Sequence, residues 1–402
     1  GTPLYVYDEK TIRSMAQTFV GEFTSRYPKT SVAYASKAFL NLAMAKIANE
    51  ENLSLDVVSG GEIAVAHAAG FPSNKMYFHG NNKTPLELSE AIDLGVGTIV
   101  VDGFQELDIL NNIAKSKNTN QGIMLRLSPS VDAHTHAHTT TGILDVKFGF
   151  SIETGESSIA IKQALDSSNL TLQGIHFHLG SPIFALEPYS TAIDTVFDYL
   201  KPFFKQGLDL KKFSPGGGFA IGYLQKQLPP SVGDYAEVIT SMLKNKCDDL
   251  EIDYPELIIE PGRSIVGRAG VAIYTVGVTK VIPNVRTYVS LDGGMGDNIR
   301  PALYDAKYEA VAATKMSSTD FETVTLAGKY CETGDILVKD VSLPILDSGD
   351  LVAIPASGAY CLAMSSNYNM NPRPEIVMVS DGDSRIIRKR ETYQDLMALD
   401  LS

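Results

Sequence analysis

Lys37 lies in Tyr-Ala-Ser-Lys-Ala at 34–38, where an apolar, strand-like run ends on an amine. Later strand-like runs end on groups that complement it: His176 and His178, then Gly216, Gly217 and Gly218, then Glu260 with Arg263. Polar ends at 59–61 and 80–82 precede them. An amine forms a Schiff base with an aldehyde if it is reachable and partly unprotonated, a condition that a desolvating pocket supplies. Three successive glycines let bare backbone approach a phosphate and turn N–H groups toward it. A carboxylate at Glu260 would keep a pyridine nitrogen protonated, and a pyridinium is the electron sink that carbanion chemistry needs. His178 could lie flat on such a ring. It alternates with His176, so a strand running through both would turn the two imidazoles to one face. These groups together describe a site for a phosphorylated pyridine aldehyde.

Each residue alone has a plainer reading. A lysine at a strand end is usually a surface charge, a triple glycine a tight turn, Glu260 with Arg263 an ion pair, and a buried histidine a satisfied core residue. Their recurrence at successive strand ends favours the site.

The elements that must position them follow from the β-rich runs 31–36, 54–58, 75–79, 98–101, 122–127, 172–178, 211–215 and 256–260, which alternate with helical stretches. Ser59-Gly-Gly-Glu62 and Thr84-Pro-Leu-Glu87 both fit a capping box, the second with Pro85 at the first helical position. Eight strand–helix alternations predict a (β/α)8 TIM barrel with its chemistry on the loops after the strands, a doubly wound open sheet being the alternative. In such barrels the loops after strands seven and eight are a recurrent phosphate site, which is where the triple glycine falls. After about 268 the texture changes. The runs 272–281, 286–291, 323–327 and 350–354 predict a mainly β second domain, a Greek-key barrel or sandwich, and the strand-like 4–7 is expected to join it ahead of a helix near 9–24. The expected division is 12–268 for the barrel and 1–11 with 269–402 for the β domain.

In the β-rich part, Arg300 and Tyr304 stand four apart and would share a face on a helical turn. With Arg263 they could clamp a carboxylate. Cys331-Glu332 sets a thiol beside a carboxylate able to bind an amine. His134, His136 and His138 have metal-like spacing, but they alternate through a segment rich in Thr and Gly. A lid over 132–149 is the expectation there, and no metal is assigned.

At 402 residues the chain exceeds the size at which one core usually keeps growing. A net charge of −13 disfavours nucleic acid or an anionic membrane as the main partner. The chain has neither a leader-like start nor an apolar run of about 18 residues. Cys247, Cys331 and Cys361 are too scattered for a disulfide framework. The expectation is a soluble, cytoplasmic protein with free thiols.

Taken together, these stretches resemble the fold-type III pyridoxal-phosphate decarboxylases, most closely the diaminopimelate decarboxylase branch. The resemblance covers nearly the whole chain. It includes the runs at 2–8, 34–38, 56–62, 79–83, 147–149, 176–181, 216–219, 260–263, 299–304, 331–333 and 358–360. It implies pyridoxal 5'-phosphate as cofactor, a homodimer with shared active sites, and meso-diaminopimelate as substrate, decarboxylated at its D-centre to L-lysine. By that pattern Lys37 would carry the cofactor aldehyde, His178 would stack on the ring, and Glu260 would pair with its nitrogen. Ser181 would join the cofactor-binding set, and Gly216, Gly217, Gly218 and Tyr360 would hold the phosphate. Arg263, Arg300, Tyr304 and Tyr360 would contact the substrate, Glu332 of the other subunit would take its distal amine, and Cys331 would be the acid. The chain departs from the pattern at Pro182, where glutamine is common, and at Lys329-Tyr330, where a proline usually precedes the cysteine. Decarboxylases of ornithine, arginine or carboxynorspermidine are the nearest alternatives. A racemase of the related barrel class and a non-catalytic homologue are the others.

Overall fold

The structure, a computed structural model, describes residues 1–132 and 145–401. Most of the expected lid, including His134, His136 and His138, lies outside the described residues. The chain divides into two compact units, one of 14–220 with 229–262 and the other of 1–13, 221–228 and 263–402.

The first unit is a closed barrel of eight parallel strands. Its sheet order is Thr98–Val101, Met76–Phe78, Ser54–Val57, Thr30–Ala35, Glu256–Ile259, Lys212–Gly216, Leu170–His176 and Gln121–Ser128, and the last of these pairs back with Thr98–Val101. Strands such as Ser54–Val57 and Thr98–Val101 are buried at every position. That is the burial expected of parallel strands covered on both faces, and it extends to the polar Ser54 and Asp56. Ala33, Tyr77, Val100, Met124 and Ile258 from five strands form one packed cluster. The open-sheet alternative is therefore set aside.

Two local expectations change. The strand before the histidines ends at His176, so His178 stands two residues beyond it and is placed by the following loop, not by strand alternation. Thr84 and Glu87 form the complete capping box, whereas Ser59 forms half of one. Ser59 Oγ accepts from Glu62 N–H, but the Glu62 carboxylate turns back one residue further and accepts from Val58 N–H at 2.8 Å. Glu87 of the neighbouring helix reaches Gly60 N–H at 2.9 Å instead.

The second unit is mainly β. Leu4–Asp8 pairs antiparallel with the long strand Gly270–Ile282 and parallel with Glu375–Ser380. Arg286–Leu291, Phe321–Ala327 and Ile336–Pro344 extend the sheet on one side and Asp383–Arg388 on the other. The first strand is anchored by its side chains as well: Tyr5 and Tyr274, fully buried, both donate to the buried carboxylate of Asp297. Residues 221–228 and 263–268, expected in the barrel, group with this unit. Gly358 of this unit packs directly against 263–268, since a Cβ there would lie 1.9 Å from Val266 O.

Between its helices the barrel unit buries an aromatic cluster around Phe219, which is 2% exposed. Its ring centroid lies 5.2 Å from Phe19, 5.1 Å from Tyr235 and 6.0 Å from Tyr189. We expect Phe219→Ala to lower unfolding free energy by about 3–5 kcal/mol in urea titrations, since removing the ring leaves a void among these three aromatic neighbours.

Candidate active site

The C-terminal ends of the barrel strands bring the ionisable side chains together. Lys37 follows the first strand on a single 3-10 turn, Ser36–Ala38. Its Nζ lies 3.0 Å from Oδ2 of Asp56, a fully buried residue of the second strand. Beyond the third strand, His79 places Nε2 3.9 Å from Asp56 Oδ1 and 3.4 Å from Glu260 Oε1. His176 Nε2 meets the other Glu260 oxygen at 3.1 Å, and the Ser214 hydroxyl donates to Oε1 at 2.8 Å. Lys37 and Glu260 thus terminate one connected chain of polar groups rather than occupying separate regions. Strands one and eight are tied beyond the ladder by Ala35 N–H to Pro261 O at 3.0 Å. Gly262 is required there, because a Cβ would lie 2.9 Å from that of Ala35.

Burial raises the Glu260 carboxyl, but the neighbouring His176 and His79, with the His176 hydrogen bond, outweigh it and hold the group down at about 2. Glu260 is therefore a carboxylate across the neutral range. Burial holds His79 neutral, well below the usual imidazole value. His178 is held neutral in the same way, first by burial and then by the positive charges of Lys37 and Arg126. Glu62, half-buried near Lys37 and Asp56, is pushed up to about 7, mainly by burial and against its Val58 hydrogen bond. Lys83 also follows a strand, the third, but its ammonium is closed off. It donates to Gly80 O, Val100 O and Glu106, each at 2.7 Å.

The glycine run packs against strand eight and the histidine loop. A Cβ on Gly217 would stand 2.1 Å from Glu260 O, and one on Gly218 2.5 Å from Gly180 O, so neither position accepts a side chain. Gly216 N–H donates to Ser214 Oγ and Gly217 N–H to His178 Nδ1. Of the three N–H groups expected to face a phosphate, two are thus spent inside the protein, one of them orienting His178. The Gly218 N–H makes no hydrogen bond among the described residues. Ser181 is half-buried on the adjacent loop, where Ile183 N–H bonds Gly218 O at 2.8 Å.

Three buried polar atoms of these side chains have no hydrogen-bond partner among the described residues: Asp56 Oδ1, His79 Nε2 and His176 Nδ1. A reachable amine, an ionised buried carboxylate, a neutral imidazole and a glycine cradle closed to side chains fit a pyridoxal phosphate. His79, His176 and Glu260 also offer donor atoms within 4.8 Å of one another, a metal-capable set. Both Glu260 oxygens are already engaged by His176 and Ser214, the arrangement of a carboxylate positioned by hydrogen bonds.

In the β unit a second cluster forms. Arg263 and Arg300 are both buried. Arg263 Nη1 donates to Tyr223 Oη at 2.6 Å, and its guanidinium lies over the Tyr360 ring. Arg300 Nη1 donates to Tyr308 Oη, and its guanidinium stacks over Tyr223 at 4.8 Å. Tyr304 ends the one-turn helix Arg300–Tyr304 and is half-buried. Tyr360 has a positive φ of 60°, a strained conformation for a tyrosine. Cys331 and Glu332 are exposed on a loop fixed by Cys331 N–H to Asn369 Oδ1 at 2.8 Å.

Residues 11–267 match the family model for the pyridoxal-binding domain of pyridoxal-dependent decarboxylases. The diaminopimelate decarboxylase of Bacillus subtilis is 47% identical over 402 residues, which is all of this chain and 92% of that one. The chain belongs to the diaminopimelate decarboxylase family. It is a pyridoxal-phosphate-dependent carboxy-lyase by that membership. The Synechocystis diaminopimelate decarboxylase is 43% identical, covering all of this chain and 87% of that protein. The crystal structure of diaminopimelate decarboxylase from M. jannaschii in complex with L-lysine superposes with a TM-score of 0.94. It is 34% identical and covers all of this chain and 92% of that one.

Asp56, His79, Ser214, Tyr223 and Tyr308 were not singled out by sequence reasoning. Asp56 and His79 stand at strand ends within the family-like runs at 56–62 and 79–83, which was the available signal. Glu62 has a measurable consequence. Because its folded value is raised above that of an unfolded glutamate, near 4.3, the folded state binds the extra proton. Stability should fall as pH rises from about 4.5 to about 7 and level off above. Glu62→Gln should remove that component, seen as the difference between the two proteins in urea unfolding across this range.

Proposed function

We propose that this protein removes the D-centre carboxylate of meso-2,6-diaminopimelate, releasing CO2 and L-lysine, as a cytoplasmic homodimer whose subunits share active sites. The observation that carries the substrate choice is Arg300. It is a buried guanidinium that forms no ion pair with any described carboxylate, and so suits a substrate whose far end is itself a carboxylate. A diamine-forming decarboxylase has no such group to bind.

Bound pyridoxal phosphate supplies an electron sink for the pair left behind when CO2 departs. Lys37 would hold its aldehyde carbon through Nζ, an amine that Asp56 keeps in place. Glu260, ionised and fixed by His176 and Ser214, would keep a proton on the ring nitrogen; its role is electronic and not acid–base. His178, neutral and oriented by Gly217 N–H, would cover the ring face without adding charge. Gly218 N–H, with Ser181 and Tyr360, would bind the phosphate, while Gly216 and Gly217 shape the cradle. Arg263, Arg300 and Tyr304 would hold the distal carboxylate, orienting the reacting carboxylate for departure. Glu332 would take the distal amine and Cys331 would return the proton, both from the partner subunit.

Purified protein should release CO2 from meso-diaminopimelate and little from ornithine; the reverse preference rejects the substrate assignment. Lys37→Ala should abolish the visible absorbance of bound cofactor, and an unchanged spectrum rejects Lys37 as its anchor. Mixing Lys37→Ala with Glu332→Ala chains should restore part of the activity, because a mixed dimer keeps one intact pocket. Mixed dimers that form without recovery count against sharing.

A further inference from the structure

Arg300 is held in an unusual way for a buried cation. Burying a guanidinium is costly unless it is paired, and the common solution is a carboxylate partner. Here the partners are phenols. Arg300, 6% exposed, donates from Nη1 to Tyr308 Oη, and its guanidinium lies over the rings of Tyr223 and Tyr308 at 4.8 and 5.5 Å. Tyr308, 4% exposed, is itself placed by Cys361, whose Sγ lies 3.6 Å from its hydroxyl. Tyr223 ties the second guanidinium in, accepting from Arg263 Nη1 while its ring stands edge-on to Tyr308 with centroids 5.4 Å apart.

Two consequences follow from this chemistry. A neutral acceptor satisfies a donor without cancelling its charge, so Arg300 remains a full positive charge in a desolvated setting, where attraction to an anion is strongest. Binding Nη1 also selects an edge. Among the described residues neither the buried Nε nor Nη2 makes a hydrogen bond, which leaves the Nε/Nη2 fork, the geometry that takes a carboxylate through two parallel bonds. We propose that Tyr308 and Tyr223 are positioning residues that orient Arg300 through neutral contacts and thereby set the specificity for a substrate bearing a distal carboxylate. This rests on the reading of Arg300 as the distal-carboxylate ligand.

The test uses the cofactor-loaded enzyme and two amines of equal length, L-lysine and cadaverine, which differ by the carboxylate alone. Calorimetric titration should show wild type preferring L-lysine. Tyr308→Phe, which keeps the ring and removes the acceptor, should weaken L-lysine binding about tenfold, the order expected for one hydrogen bond to a charged group. Its cadaverine binding should stay within about twofold, and KM for meso-diaminopimelate should rise by a similar factor to the lysine loss while kcat changes little. Tyr308→Glu, which replaces the phenol by a carboxylate, should erase the preference for L-lysine. Parallel losses for both amines would overturn the proposal, since they indicate a structural role only. An unchanged preference in both Tyr308 variants, with the preference lost in Arg300→Met, overturns it while leaving the substrate reading intact. A preference that survives Arg300→Met overturns both.

Discussion

The site depends on keeping one carboxylate charged where water is scarce. Glu260 is almost fully buried, which alone would favour its neutral form, and a neutral carboxyl could not hold a proton on a ring nitrogen. His176, Ser214 and His79 come from three other strands or the loops after them, and each addresses a Glu260 oxygen. A closed parallel barrel suits this task because it aims the ends of all eight strands at one place. The same geometry sets the glycine loop against strand eight so closely that Gly217 has no space for a methyl group.

Acid–base roles separate as a result. Glu260 is ionised, His79 and His178 are neutral, and Lys37 is paired with a buried aspartate. The charge held at Glu260 is therefore a property of the folded scaffold. In the β unit the buried Arg300 is handled in another way, held by the rings of Tyr223 and Tyr308 and the Tyr308 hydroxyl.

Much of this was legible from the residues. The eight barrel strands are legible as short β-rich runs alternating with helical stretches, and Lys37, Glu260 and the triple glycine stand out because each falls at or just beyond the end of such a run. The long strands Gly270–Ile282 and Arg286–Leu291 were read from β-branched runs between turn residues. Tyr223 and Tyr308 were not legible, since a single aromatic in a loop looks like any core residue until its hydroxyl is seen on a guanidinium. The same holds for the direction of a side chain's hydrogen bond: Glu62 matched a capping box by spacing, yet its carboxylate bonds Val58. The strand through His176 stopped early for a reason that spacing does not carry. Phe177 N–H pairs with Ser214 O, after which the loop turns so that His178 meets Gly217.

Two lysines follow barrel strands, and position along the chain does not distinguish them. The Lys37 side chain retains 39% of its accessible surface and the Lys83 side chain 1%. Lys83 spends its three protons on two carbonyls and Glu106, which leaves no lone pair or approach path for an electrophile. Chemoselectivity between these two amines is thus a matter of access: a carbonyl reagent can reach Lys37, whereas Lys83 serves as a rivet joining the loop at Gly80, the strand at Val100 and the helix at Glu106.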